Sequence, residues 1–274
     1  MKIAFIGAGK MAEALIACQT ENLVFAADID PLRLRSLEKR YQIKVAESNL
    51  SAFEQGEIVV IAVKPQQVAE VLENVADHGS RDLDELGRVV TGRKLIISIA
   101  AGVPLSYLQK KLPAFPIIRA MPNNPCLVGA GITALAKGKK VNRRQYQLAE
   151  KIFRGVGKVM AVPEKWMDAV TGLSGSGPAF VYQVIAALTE GGVAAGLPQK
   201  TARALALQTV AGAAATLEKS GKTPAELCAM VASPGGTTIE GLMVLQKRKL
   251  KETLAEAVVA AAQKSRSISS QFKI

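Results

Sequence analysis

The sequence predicts an α/β domain with a doubly wound, Rossmann-like parallel sheet over residues 1–162, followed by an all-α domain over residues 163–274. Apolar, β-branched runs alternate with helical stretches in the first half, and runs without polar interruption are what strands covered on both faces require. Strands separated by helices rather than hairpins make the sheet parallel. After Pro163 alanine becomes the commonest residue, and the only aromatics left are Trp166, Phe180, Tyr182 and Phe272.

The apolar runs are Lys2–Gly7, Leu23–Asp28, Glu57–Val63, Lys94–Ala100 and Pro116–Met121. Between them, Met11–Thr20 and Pro31–Tyr41 have helical spacing, and Asp30-Pro31 supplies an N-cap followed by a proline at the first helical position. From Pro178 onward the pattern is long helices broken at Gly196-Leu197-Pro198, at Gly221 to Pro224 and at Ser233 to Gly236. Small residues on nearly every face let such helices approach closely but leave little core for one copy alone. A homodimer through the C-terminal helices is therefore expected, because two copies bury more apolar surface than one.

Hydrophobic residues at 49% against 21% charged make this a globular chain rather than a disordered one. Cys18, Cys126 and Cys228 are odd in number and far apart, without metal-ligand spacing, so neither a disulfide frame nor a zinc site is expected and a reducing, cytoplasmic setting fits. No apolar stretch approaches the ~18 residues of a membrane span, and the opening Met1–Ile6 reads as a buried strand rather than a signal peptide. The net charge of +12 raises nucleic acid as a partner, but both halves are mildly basic and neither carries a polybasic arm. The runs Lys137 to Arg144 and Lys247 to Lys251 read as a loop and a helix face, without aromatics for base stacking. Neither nucleic acid nor membrane is expected as a partner; a small-molecule substrate is.

Gly7-Ala8-Gly9-Lys10-Met11-Ala12 directly follows the first strand and opens the first helix. Glycines there permit a tight turn and close approach of a pyrophosphate, which the free N–H groups and helix dipole favour. Asp28 follows Gly7 at the end of the second strand, placed for the adenosine ribose or simply ending the strand, whereas Asp30 is the helix cap. A carboxylate at that point repels a 2′-phosphate and favours NAD, yet Lys10, Arg33 and Arg35 are near enough to reverse the preference towards NADP. Lys64, pinned by Pro65, ends the Glu57–Val63 strand where ligands of open α/β sheets bind, and Ala100-Ala101-Gly102 leaves room for a cofactor at the next strand end.

In the second half, Ser233-Pro234-Gly235-Gly236-Thr237-Thr238 precedes Ile239-Glu240. Thr237 and Glu240 match a capping box, and the glycines before them expose amides as a carboxylate nest, with an ordinary capped turn as the plainer alternative. A second glycine-rich helix entry, Gly172 to Pro178, lies in the same domain. The single histidine, His78, reads as a surface-loop residue, and no Ser-His-Asp set or metal cluster is evident. A dehydrogenase that oxidises an alcohol usually needs a base such as histidine or lysine for the hydroxyl proton, whereas reduction of an already protonated imine would need none, only positioning, a carboxylate anchor and a hydroxyl such as Thr238 to hydrogen-bond the nitrogen.

Six segments together resemble the pyrroline-5-carboxylate reductase family over essentially the whole chain: Phe5-Ile6-Gly7-Ala8-Gly9 with Met11, Ala62-Val63-Lys64-Pro65, Ile99 to Gly102, Arg119-Ala120-Met121-Pro122-Asn123, Thr171 to Ala179, and Ser233 to Ile239. The resemblance implies hydride transfer from reduced NADP or NAD to the C=N bond of Δ1-pyrroline-5-carboxylate, giving L-proline. It implies cofactor positions at Ala8, Lys10, Met11, Asn49, Val63, Lys64 and Ala100, and substrate positions at Gly236, Thr237 and Thr238. It also implies interlocked dimers, assembled further into rings, and it matches Glu164 loosely to the substrate. Two departures stand out: Asp28-Ile29-Asp30 stands where many members carry a neutral or arginine-containing segment, so the cofactor preference does not carry over, and Gly221 stands where some relatives have an acidic residue near the substrate. A hydroxyacid dehydrogenase of the same plan, and a dinucleotide-sensing or nucleic-acid-binding protein, are the competing readings.

Overall fold

The computed structural model describes residues 1–79 and 94–272. Packing divides the chain into two compact units, one of Met1–Ser176 with Ala260–Ile274 and one of Gly177–Val259. The first unit holds, in chain order, β1 (Lys2–Ile6), α1 (Lys10–Ala17), β2 (Leu23–Ala27), α2 (Pro31–Tyr41), β3 (Lys44–Val45), α3 (Asn49–Gln55), β4 (Ile58–Ile61) and α4 (Val68–Gly79). It continues through β5 (Leu95–Ser98), α5 (Leu105–Lys111), β6 (Ile117–Met121), β7 (Gly131–Lys137), α6 (Arg143–Arg154), β8 (Gly157–Ala161) and the short α7 (Met167–Val170).

These strands form one sheet in the order β3-β2-β1-β4-β5-β6-β7-β8. All neighbours are parallel except β6 and β7, so the last two strands run against the others. Alternation along β1 feeds both faces: Ile3 and Phe5 pack with Leu15, Val60 and Phe153, while Ala4 and Ile6 pack with Val59, Leu72 and Leu108. The chain order reverses between β1 and β4, and in an open sheet that reversal opens a crevice at the carboxyl ends.

The five expected strands are all present. Three further strands were not foreseen: β3 has only two residues, β7 is alanine-rich, and β8 alternates partly buried and exposed positions at the sheet edge. Other local expectations are corrected. His78 lies within α4, not in a loop. The Lys137 to Arg144 run is the end of β7, a turn and the start of α6, and Lys247 to Lys251 spans a helix junction where Lys249 has φ +53°.

The second unit contains α8 (Gly177–Ala194), α9 (Gln199–Ser220), α10 (Pro224–Val231), α11 (Thr237–Lys247) and the beginning of α12 (Leu250–Ser269), whose last turns belong to the first unit. The three expected helix breaks fall between these elements. Close approach of α8 and α9 is visible at Gly192, where an added Cβ would stand 3.1 Å from the Ala202 Cβ. Their buried residues are few, Thr189, Ala202 and Ala206, while Tyr182, Leu205 and Leu207 are more than half exposed. Alanine-rich composition begins near residue 163, but the change of packing partner comes at residue 177. Among the described residues no helix is long and apolar enough to cross a membrane.

Candidate active site

The turn from β1 to α1 is built so that only glycine suits its first position. Gly7 has φ +93°, and a Cβ there would meet the Ala62 carbonyl oxygen at 2.7 Å and Val63 Cγ1 at 2.9 Å. Its N–H donates to Ala27 O at 2.8 Å, which ties the turn to the end of β2. Gly9 is the N-cap of α1 and no side chain caps the helix. A Cβ on Gly9 would meet nothing within 4 Å, so the uncapped amides of Lys10 and Met11 begin beside open space. This is a cradle of the shape and polarity a pyrophosphate requires, and the residues present fit a dinucleotide.

Asp28 belongs to this cradle. Its Oδ2 accepts the Ala8 N–H at 2.5 Å and its Oδ1 accepts the Asp30 N–H at 2.9 Å, so the carboxylate is fixed at the carboxyl end of β2. Each oxygen keeps a lone pair for a further donor. Asp30 caps α2 as expected, accepting from the Leu32 and Arg33 N–H groups at 2.9 and 3.0 Å behind Pro31 at the first position. Arg33 then reaches back: its Nε donates to Ala8 O at 2.8 Å and its Nη2 to Glu13 Oε2 at 2.5 Å. The other Glu13 oxygen accepts from Arg40 and from the Tyr41 hydroxyl. Burial alone would raise the Glu13 carboxyl, but the hydrogen bond and charge of Arg33, followed by the charge of Arg40, hold it below its ordinary value.

The other cofactor candidates follow strand ends or a helix start. Asn49 opens α3 behind Ser48, whose Oγ accepts the Ser51 N–H at 3.0 Å. Val63 and Lys64 follow β4, and Lys64 is exposed ahead of a single 3₁₀ turn that begins at Pro65. Ala100 is buried just past β5, its N–H on Ser98 Oγ at 3.4 Å. A separate cleft of about 820 Å³ lies at the opposite, amino ends of the strands, lined by Lys2, Glu57 and Ile58. Ligands of such sheets bind beyond the carboxyl ends, at the other end of the strands from this cleft.

In the second unit, Gly235 has φ +70° and Gly236 is the N-cap of α11, its own N–H closing a turn on Ser233 O at 3.0 Å. The expected capping box does not form. Thr237 is already the first helical residue, and no side chain caps the helix because glycine holds the cap position. A true box stands at Thr223 and Glu226, where Glu226 Oε2 accepts the Thr223 N–H at 2.7 Å. The amides at the start of α11 are thus left for another acceptor, with Thr237 exposed and Thr238 half-buried. The Gly172 to Pro178 segment is not a second open helix entry. It runs through a π-helical turn, Thr171–Gly175, in which Thr171 and Ser174 hydroxyls donate to carbonyls four residues back.

Comparison with known proteins bears on both units. Residues 164–268 match the family described as pyrroline-5-carboxylate reductase dimerisation, and residues 2–102 match NADP oxidoreductase coenzyme F420-dependent. The chain is 43% identical to a pyrroline-5-carboxylate reductase of Synechocystis, with 98% of each chain covered. It is 39% identical to one of Methanosarcina acetivorans, with 97% of each covered. The chain belongs to the pyrroline-5-carboxylate reductase family. A crystal structure of the Plasmodium falciparum pyrroline carboxylate reductase with NADP bound superposes with a TM-score of 0.86 at 32% identity, covering 98% of each chain. The class of activity is that of an NAD(P)H-dependent oxidoreductase.

This member of the pyrroline-5-carboxylate reductase family also carries a charge cluster that sequence reasoning did not assemble. Arg119, 4% exposed on β6, places Nη1 3.4 Å from Glu164 Oε1 and Nη2 3.8 Å from Asp168 Oδ1. Glu164 also accepts the Leu105 N–H at 2.5 Å and so caps α5, while Asp168 accepts from Ser265 at 2.7 Å and Ser269 at 3.2 Å near the end of α12. Burial lowers the Arg119 pKa from its ordinary value, with the two carboxylates pulling against it. The available signal was one arginine inside the apolar run Ile117-Ile118-Arg119-Ala120-Met121, since a charge in a central strand needs buried partners. Among the described residues no group of acidic, histidine or cysteine side chains could hold a metal.

Proposed function

We propose that this chain reduces the C=N bond of Δ1-pyrroline-5-carboxylate to L-proline, with reduced NADP or NAD as hydride donor. The observation that carries the reading is the uncapped cradle at Gly7–Gly9 with Asp28 fixed beside it, in a chain whose relatives of matching length carry that reductase's name. The dinucleotide, when bound, supplies the hydride. Gly7, Ala8, Gly9, Lys10 and Met11 take the pyrophosphate through backbone amides, Asp28 takes the adenosine ribose, and Asn49, Val63, Lys64, Pro65 and Ala100 line the remainder of that site.

Gly235, Gly236, Thr237 and Thr238 take the substrate carboxylate on the free amides of α11, favoured by the positive end of that helix. Thr238 is the proposed catalytic residue, its hydroxyl accepting from the protonated ring nitrogen. That nitrogen keeps its proton as the carbon gains hydride, so the reaction requires no protein base. The one histidine of the sequence, in α4, has no part in this scheme.

The working form is a homodimer through the C-terminal helices, with rings of dimers as its higher assembly; the exposed apolar side chains of α8 and α9 support it. We place the enzyme in the cytoplasm, in line with its free cysteines. The test is oxidation of reduced dinucleotide by the purified protein in the presence of the cyclic imine, run in parallel with a 3-hydroxy acid and the oxidised cofactor. Turnover of the hydroxy acid alone would refute the reading. Thr238→Ala should lower imine turnover while dinucleotide affinity is retained, and equal losses of both would remove the assigned division of labour. Sedimentation as a monomer at micromolar concentration would remove the dimer.

A further inference from the structure

At the adenosine end of the cradle two residues of opposite charge grip the same alanine. Asp28 accepts the Ala8 N–H at 2.5 Å, and Arg33 Nε donates to the Ala8 carbonyl at 2.8 Å. A carboxylate at this position selects ribose hydroxyls and repels a 2′-phosphate, whereas a nearby arginine accommodates that phosphate. Of the nearby cations Lys10, Arg33 and Arg35, Arg33 is the one bonded to the cradle backbone, so the choice between the two dinucleotides depends in part on whether Asp28 or Arg33 is free to act.

Arg33 is not free. Its Nη2 is held by Glu13 Oε2 at 2.5 Å, and Glu13 is itself held by Arg40 and by the Tyr41 hydroxyl at 3.2 Å. The Glu13 side chain is 15% exposed against 27% for Arg33, so the pair is screened less than a surface contact would be. Asp30, the remaining acid at this end, is committed to capping α2.

We propose that Glu13 is a positioning residue that biases the choice of dinucleotide: by holding Arg33 against Ala8 and offsetting its charge, it lowers affinity for an adenosine 2′-phosphate and leaves Asp28 to select ribose hydroxyls. The proposal rests on the cofactor site assigned above. A strut that merely clamped α1 to α2 would, when cut, weaken both dinucleotides alike. A selectivity device changes their ratio.

The experiment is calorimetric titration of the full-length protein with NAD⁺ and NADP⁺, without imine, repeated with 5′-AMP and adenosine 2′,5′-bisphosphate. In Glu13→Gln the affinity for NADP⁺ relative to NAD⁺ should rise about tenfold, the effect of one unbalanced charge at short range. Adding Arg33→Met should abolish that rise. A ratio within twofold of the parent in folded Glu13→Gln, or a rise that survives Arg33→Met, overturns the proposal. Should Glu13→Gln not fold, Arg33→Met alone decides: a relative loss of NADP⁺ below threefold supports the proposal, and a larger loss means Arg33 already serves the phosphate and overturns it. If the parent binds neither dinucleotide, the underlying site assignment fails instead.

Discussion

The two glycines that frame the proposed dinucleotide cradle should respond to the same substitution in opposite ways. Gly7→Ala forces a side chain onto φ +93° and drives its Cβ to 2.7 Å from a backbone oxygen and 2.8 Å from a backbone carbon of Ala62. The positive φ costs about 1–2 kcal/mol. The collision is with backbone at the exit of β4 and cannot be relieved by a rotamer, which adds roughly 1–3 kcal/mol of overpacking. A loss of about 2–5 kcal/mol is a large share of the stability of such a domain. Gly9→Ala meets neither obstacle, since its φ of −63° and ψ of −178° suit alanine and its Cβ points into open space. Stability should stay level or rise by about 0.4–1 kcal/mol through the unfolded chain. The new methyl, however, occupies the space where a pyrophosphate must approach the α1 amides, so dinucleotide affinity should fall at least tenfold. Urea unfolding followed by circular dichroism reads the first quantity and calorimetric titration the second. A Gly9→Ala protein that binds as the parent does, or a Gly7→Ala protein as stable as the parent, would refute this account of the cradle.

Asp168→Ala should destabilise the first unit by about 3 kcal/mol in chemical denaturation, because it leaves the buried Arg119 with a single carboxylate and orphans two serine hydroxyls. Cys126 should resist thiol reagents until the protein unfolds, since burial pushes its thiol pKa up, whereas exposed Cys18 should react at once. Because Arg33 and Arg40 hold the Glu13 carboxyl below its ordinary value, the stability it contributes is complete above an unfolded pKa of about 4.3 and is lost as pH falls through the lower folded value. The acid limb of a stability–pH curve should therefore flatten in Glu13→Gln over that window, and an unchanged limb would show that the pairing does not influence the folded state.

What could be read from the sequence was what short range determines. The five expected parallel strands were legible because burial on both faces favours nearly unbroken apolar runs, in which Arg119 is the one charged interruption, and the fingerprint turn because its glycines act within three residues of one another. β7 and β8 were not, since alanine-rich and half-exposed edge strands give no such run. The capping rule worked at Asp30, where a proline fixes the first helical residue, and misplaced the cap at Thr237, where a preceding glycine takes it. The rule matched residue types correctly but could not tell which of two neighbours turns the chain.

The side chains that surround the site follow a different logic. Glu13 meets Arg33 and Arg40 across 20 and 27 residues, and Asp168 meets Ser265 across 97. Partners so distant carry no pattern in a single sequence, because what brings them together is the sheet order and not local spacing. Yet they decide how the legible parts are aimed. Glu164, which the family resemblance matched only loosely to the substrate, caps α5 and balances the one cation buried in β6. A buried ion pair gains little net stability once desolvation is counted, but its hydrogen bonds tolerate few alternative geometries. Arg119 thereby links β6 to the helix that follows β5 and to the last turns of α12, which adjoin the carboxyl end of β5 at Gly102, where an added Cβ would meet Ile268 at 2.6 Å. The exit of β5 towards Ala100 is thus tied to charges at Arg119 and at Glu164 and Asp168, and to serine hydroxyls near the end of α12, contacts across 45 to 101 residues that no local sequence pattern announces.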